Sequence, residues 1–181
     1  NRFREALLAR KRLIGCWCAL GSPITTEILG LAGFDWILLD SEHAPNDVLS
    51  LIPRLMALKG SPSAPVVRPA WNDTVLIKRL LDAGFHNFLI PFVQSAEQTK
   101  AAVAATRYPP AGVRSFGPLR AGLGLDPRAH ESRASVFAMI ETAAALSDLD
   151  RICAVDGLTG IYVGPADLAI SLGADPVGAT R

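Results

Sequence analysis

The feature that most constrains this chain is a repeated alternation between short, continuous apolar runs and longer helical stretches. The runs are Ile14 to Leu20, Trp36 to Asp40, Pro65 to Arg68, Asn87 to Val93, Val136 to Glu141 and Gly160 to Val163. They are rich in Val, Ile, Leu and Phe and do not alternate apolar with polar, which is the pattern of strands buried on both faces. Between them Ile24 to Ala32, Asn46 to Lys59, Thr74 to Ala83, Ala96 to Arg107 and Ala143 to Val155 read as helices. A βαβα order calls for a parallel sheet with helices outside it. Gly33, Gly84, Gly157 and Gly160 stand where helix C-caps belong, and Asn46, Asp73 and Ser95 where N-caps belong.

Two architectures share that order, an open doubly wound sheet and a (βα)8 barrel. The doubly wound dinucleotide fold needs Gly-x-Gly-x-x-Gly after its first strand, and here Ala19-Leu20-Gly21-Ser22-Pro23-Ile24 carries a single glycine. Instead, polar residues stand at successive strand ends: Asp40, Arg68, Gln94, Glu141 and Asp167. Side chains converging from several strand ends are what a barrel active site requires, so a (βα)8 TIM barrel is predicted. About six of the eight βα units are represented. The stretch from Gly173 to Arg181 reads as a loop rather than a closing strand, so the barrel is expected to be C-terminally incomplete.

Composition narrows the function classes. With 181 residues, half of them hydrophobic, the chain can build one sizeable core and reads as a single domain over 1–181. A net charge of +1 and 7% aromatics leave no basic block for nucleic acid or an anionic membrane surface, and neither partner is expected. Its longest apolar runs fall far below the roughly 18 residues of a membrane span. Arg2, Arg4, Glu5, Arg10, Lys11 and Arg12 interrupt the region where a signal peptide would be apolar, and a cytoplasmic location is expected. Cys16, Cys18 and Cys153 read as small buried hydrophobes in a reducing compartment, the first two too awkwardly close on one strand face to bridge. His86 and His130 read as surface or core histidines, and the scattered histidines give no zinc spacing. The stretch from Arg107 to Pro118, with Pro109 and Pro110 together, is expected to form a substantial functional loop without helix.

Asp40-Ser41-Glu42-His43 places two carboxylates and an imidazole at a strand end, where a carboxylate can orient the ring and make it a general base. A polar turn before the next helix fits the same residues. Arg68 at a strand end needs an anionic ligand or a carboxylate partner, for which Asp40, Glu42 and Glu141 are the options. Glu141 and Asp167, from neighbouring strand ends, would form with water and substrate oxygens a site for Mg²⁺ or Mn²⁺. Asp167 could also cap a helix opening at Pro165. The amides of Ala166 and Asp167 in that first turn would be free to bind a substrate carboxylate. Trp17, on the first strand, would wall the site.

The chain resembles the HpcH/HpaI aldolase family of metal-dependent class II aldolases acting on pyruvate and other 2-oxo acids. The resemblance rests on Gly33-Phe-Asp-Trp-Ile-Leu-Leu-Asp-Ser-Glu-His-Ala-Pro-Asn46, Pro65-Val-Val-Arg-Pro-Ala-Trp-Asn-Asp73, Arg107-Tyr-Pro-Pro-Ala-Gly-Val-Arg114, Met139-Ile-Glu-Thr142 and Val163-Gly-Pro-Ala-Asp-Leu168. It implies a (βα)8 barrel assembled as a homo-hexamer, a divalent cation (Mg²⁺, Mn²⁺ or Co²⁺) on Glu141 and Asp167, and Arg68 on the 2-oxo acid oxygen. His43 would be the catalytic histidine with Asp40 as its partner, and the Ala166 and Asp167 amides would hold the pyruvate carboxylate. One departure is Met139, where such aldolases often carry glutamine near the metal. The implied reaction cleaves a 4-hydroxy-2-oxo acid to pyruvate and an aldehyde through a metal-stabilised enolate. Lys11, Lys59, Lys78 and Lys100 lie on predicted helices or their flanks, which argues against a Schiff base. An acyl-CoA lyase of the citrate-lyase type and a non-catalytic interaction module are the alternatives.

Overall fold

A computed structural model describes residues 1–117, 120 and 127–179. Pro118 at the end of the predicted loop, the last two residues Thr180 and Arg181, and the His130 side chain lie outside the described residues. In chain order the elements are α1 (Arg2–Leu8), β1 (Gly15–Cys18), α2 (Pro23–Leu31), β2 (Trp36–Asp40), α3 (Val48–Ala57), β3 (Ala64–Arg68), α4 (Thr74–Ala83) and β4 (Asn87–Ile90). There follow α5 (Ala96–Thr106), α6 (Pro127–Ser132), β5 (Ser135–Ile140), α7 (Ala143–Ser147), α8 (Leu149–Cys153), β6 (Gly160–Val163), α9 (Pro165–Ser171) and α10 (Pro176–Ala179).

The six strands are all parallel and lie side by side in sequence order, β1 to β6. A doubly wound sheet would reverse direction at a switch point, and this one never does. It curls, because Trp17 on β1 and Tyr162 on β6, the two edge strands, bring their rings to 5.9 Å across the concave face. The described fold is therefore an α/β half-barrel.

Strand parity then sorts the side chains. Ile37, Leu39, Val67, Phe88, Ile90, Val136, Ala138 and Ile140 face outward into the core shared with the helices. Leu38, Val66, Leu89 and Met139 face inward and pack with Trp36, Phe137, Tyr162 and Phe3 of α1. Phe3 closes the floor, with its ring 6.3 Å from Trp36 and 5.9 Å from Phe137. Gly15 is required at the floor because a Cβ there would stand 2.0 Å from the Trp36 ring. Along each strand the next inward position after this apolar layer is the rim: Asp40 follows Leu38, Arg68 follows Val66 and Glu141 follows Met139.

Several expectations are corrected. Pro91 has no N–H to extend the ladder and Phe92 turns left-handed with φ of 52°, so β4 ends at Ile90 rather than Val93. The predicted helix over 143–155 is two, separated at Asp148, whose carboxylate accepts the Ala96 N–H at 2.7 Å. Asp47, not Asn46, caps α3, because the Asn46 amide donates instead to the Asp40 carbonyl at 2.6 Å. Gly33, Gly84 and Gly157 take positive φ, whereas Gly160 simply opens β6. Cys18 is buried but Cys153 is exposed. The described part of the stretch read as loop, 107–117, holds no helix; α6 follows it and α1 precedes β1 without having been foreseen. Because α5 returns the chain to the N-terminal ends of the strands, the Arg107–Arg114 stretch lies at the floor. There Arg114 is buried against the Tyr108 ring and pairs with Asp82 at 2.7 Å. That is a structural role, away from the rim where barrel chemistry sits.

Candidate active site

Arg68 and Asp40 are register partners on β3 and β2, so their inward side chains share the rim. Arg68 donates from Nε to Asp40 Oδ1 at 2.8 Å and from Nη2 to Oδ2 at 2.7 Å, a two-point pairing of guanidinium with carboxylate. Asp40 Oδ1 also accepts the Glu42 N–H at 3.0 Å, and Oδ2 accepts the Trp17 indole N–H at 3.3 Å. Burial pushes the Asp40 carboxyl up, but the Arg68 contacts, the Glu42 amide and the Trp17 indole together hold it below the usual aspartate value. Trp17 lies under Arg68 as well, with the guanidinium carbon 4.6 Å from its ring centroid.

These four donors fill Asp40, and none is His43. The expected Asp40–His43 pairing is therefore corrected: His43 is 68% exposed, and its Nε2 lies 3.9 Å from Glu42 Oε2. Glu42 is the carboxylate placed between the two functions, since the same oxygen sits 2.8 Å from Arg68 Nη1. Its aim follows from the loop: Ser41 donates from its backbone N–H at 3.0 Å and its hydroxyl at 2.7 Å to the Arg68 carbonyl, tying β2's exit to β3. Burial pushes the Glu42 carboxyl up; Arg68 and His43 pull it back, Glu141 and Asp40 push it further, and the balance is raised. Sequence reasoning offered Glu42 only as one of three partners for Arg68, because spacing within a turn does not say which carboxylate faces which group.

Glu141 enters the rim from β5's end and is 3% exposed. Its Oε1 accepts the Phe92 N–H at 3.0 Å, while Oε2 accepts no hydrogen bond among the described residues. Burial raises its proton affinity, the Phe92 amide and Arg68 lower it, and Asp167 raises it again, for a net upward shift. Gly164 allows this placement, since a Cβ there would meet the Glu141 side chain at 2.8 Å. Asp167 is exposed and stands in the first turn of α9; the cap is Gly164, so Asp167 does not cap the helix. Gly164 offers no side-chain cap either, and among the described residues no backbone carbonyl accepts the Ala166 or Asp167 amide.

A buried carboxylate with one open oxygen, charged against a second carboxylate, is a donor set suited to a hard divalent cation. Among the described residues no group of three His, Cys, Asp or Glu forms a ready cage, so water or substrate oxygens would complete it. Met139 packs between Leu38, Val66 and Leu89, one layer below Glu141, where a side-chain amide would lose its water. The four lysines stand on helices or beyond their ends, none at a strand's C-terminal end.

The sequence profile described as HpcH/HpaI aldolase/citrate lyase matches residues 13–178. The chain is 52% identical over 178 residues to the 5-keto-4-deoxy-D-glucarate aldolase of Klebsiella pneumoniae, covering 96% of this chain and 70% of that protein. It is likewise 52% identical over 185 residues to the enzyme of that name from Salmonella newport, with the same coverages. A solved HpcH/HpaI aldolase/citrate lyase family protein from Burkholderia cenocepacia superposes with a TM-score of 0.92 at 34% identity, covering 97% of this chain and 73% of that one. An HpcH/HpaI aldolase from Desulfitobacterium hafniense superposes with a TM-score of 0.85 at 31% identity, over 95% of this chain and 69% of that one.

Proposed function

The chain belongs to the HpcH/HpaI aldolase/citrate lyase family, a family of carbon–carbon lyases, and from that premise we propose that it cleaves a 4-hydroxy-2-oxo acid reversibly to pyruvate and an aldehyde. The observation that carries this reading is Arg68, buried at the rim between Asp40 and Glu42 on the same face as Glu141. The relatives' name supplies a substrate to try. 5-Keto-4-deoxy-D-glucarate carries its ketone beside one carboxylate, a deoxy carbon next, then a hydroxyl-bearing carbon. Breaking the bond between the last two releases pyruvate and a three-carbon aldehyde acid.

Arg68 would direct its guanidinium at the ketone oxygen, where negative charge grows as the carbon–carbon bond breaks and its electron pair moves into the enolate. Asp40 holds that guanidinium in place through two hydrogen bonds, so little reorganisation is needed at the moment of reaction. His43 would take the hydroxyl proton as the aldehyde forms, with Glu42 Oε2 3.9 Å from its Nε2. The Ala166 and Asp167 amides would receive the substrate carboxylate, and Trp17 would wall its pyruvate end. Glu141 and Asp167 would hold a divalent cation (Mg²⁺, Mn²⁺ or Co²⁺), which supplies Lewis-acid stabilisation of the enolate charge when bound.

This reading extends to a single-domain (βα)8 barrel that assembles as a homo-oligomer in the cytoplasm. The in-order parallel strands and the meeting of β1 with β6 across the interior support the barrel. The test is release of pyruvate from 5-keto-4-deoxy-D-glucarate, coupled to a pyruvate reductase. Exhaustive chelation should abolish it and Mg²⁺, Mn²⁺ or Co²⁺ restore it; full activity in chelator would overturn the mechanism.

A further inference from the structure

Among the described residues two other than glycine take positive φ, Arg10 at 55° and Phe92 at 52°. For an L-residue the left-handed region costs about 1–2 kcal/mol, and such a conformation persists where its surroundings enforce it. Arg10 lies beyond the end of α1, but Phe92 stands at the rim and two contacts account for it. Its N–H donates to Glu141 Oε1 at 3.0 Å, and its ring packs on Trp71 with centroids 5.6 Å apart and planes inclined by 31°. Pro91 has no N–H, so Phe92 carries the first amide donor after β4.

We infer that Trp71 and Phe92 are positioning residues for Glu141: the contact between their rings holds Phe92 left-handed, which aims its amide at Oε1 and leaves Oε2 as the ligating oxygen. The inference rests on the reading of Glu141 as a metal ligand. Trp71 comes from the β3–α4 loop and Phe92 from the β4–α5 loop, so two neighbouring loops fix a carboxylate carried by β5. Neither aromatic needs to touch the reacting atoms. A hydrogen bond to a ligating carboxylate orients it and keeps it ionised, and losing such a partner typically costs about 10- to 100-fold in metal affinity.

The test is Mn²⁺ affinity, read from the electron paramagnetic resonance signal of the free ion, on variants whose circular dichroism matches the wild type. Phe92→Val, β-branched and therefore averse to positive φ, should weaken Mn²⁺ binding about 10-fold or more. Phe92→Gly keeps the N–H and accepts positive φ, and should bind nearly as well as wild type. Trp71→Ala should weaken binding in the Phe92 background and have no effect in Phe92→Gly, where no ring needs holding; Trp71→Phe should recover most of the loss. If Phe92→Val fails to fold, the Trp71→Ala comparison in the two backgrounds decides alone. Wild-type affinity in Phe92→Val, or an equal Trp71→Ala effect in both backgrounds, would overturn the inference while Glu141→Gln still loses Mn²⁺. Undiminished binding in Glu141→Gln would overturn the metal reading itself, and this inference with it.

Discussion

Arg68 and Asp40 stand opposite each other in the β2–β3 register and meet through two hydrogen bonds of 2.8 and 2.7 Å at the mouth of the half-barrel. Parallel pairing aligns the strand ends, and a period of two aims both side chains inward. Replacing Arg68 with Lys keeps the charge but removes the planar fork, so one ammonium must serve both Asp40 and the substrate oxygen. Arg68→Lys should lower kcat/KM for pyruvate release by about 100-fold or more, the scale of losing one oxyanion donor. An unchanged kcat/KM would make the arginine purely structural.

The same pair sets a dependence of stability on acid. Asp40's folded carboxyl lies below its ordinary value, so its contribution is present above that value and is lost as pH falls through the lowered one. Asp40→Asn removes this pH-dependent contribution and leaves a buried guanidinium with Glu42 alone. It should cost about 3 kcal/mol at neutral pH, and its stability should fall less steeply on acidification than the wild type's. Urea denaturation from pH 7 to 3 measures both; parallel pH profiles would sink the assignment.

Glu141 carries the opposite sign. Its folded carboxyl is raised, so the native state binds that proton more tightly than the unfolded chain, and stability is lost as pH rises from the ordinary glutamate value through the raised one. In metal-free protein Glu141→Gln should therefore raise the melting temperature at pH 7 and flatten its decline with pH. Thermal melts in chelator decide this, and a lower melting temperature in the variant would contradict it.

How much of this was legible in the sequence depends on what each feature needs. The strand ends at Asp40, Arg68 and Glu141 follow from apolar runs closed by a charge, and period two then places all three on one face. Pairing within the rim was not legible, because Asp40, Glu42 and His43 share a turn whose backbone no periodicity fixes. The Ser41 bonds to the Arg68 carbonyl and the Glu42 N–H bond to Asp40 fix that turn, and Glu42 then faces Arg68 and His43. The left-handed Phe92 was hidden for a similar reason, since an apolar residue after a strand reads as more strand. Arg54 was hidden by the opposite error: a charged helix residue reads as solvated. Yet it is fully buried, donating to Thr26 and to the Cys18 carbonyl.

The last prediction separates proton transfer from charge stabilisation. Aldol cleavage needs a hydroxyl proton removed, whereas decarboxylation of oxaloacetate passes through the same enolate without one. If His43 is the base, His43→Ala should slow cleavage by about 100- to 10,000-fold and decarboxylation far less, while Glu141→Ala should slow both by removing support for the enolate's counter-ion. Glu42 sits beside His43, and Asp40 is saturated by other donors. Glu42→Gln should therefore slow cleavage more than decarboxylation, because the imidazole loses the carboxylate that stands beside it. The measurements are rate constants on both substrates for each variant. Equal losses in both reactions for His43→Ala would refute its role as the aldol base and leave His43 as a group that organises water around the reacting oxygens.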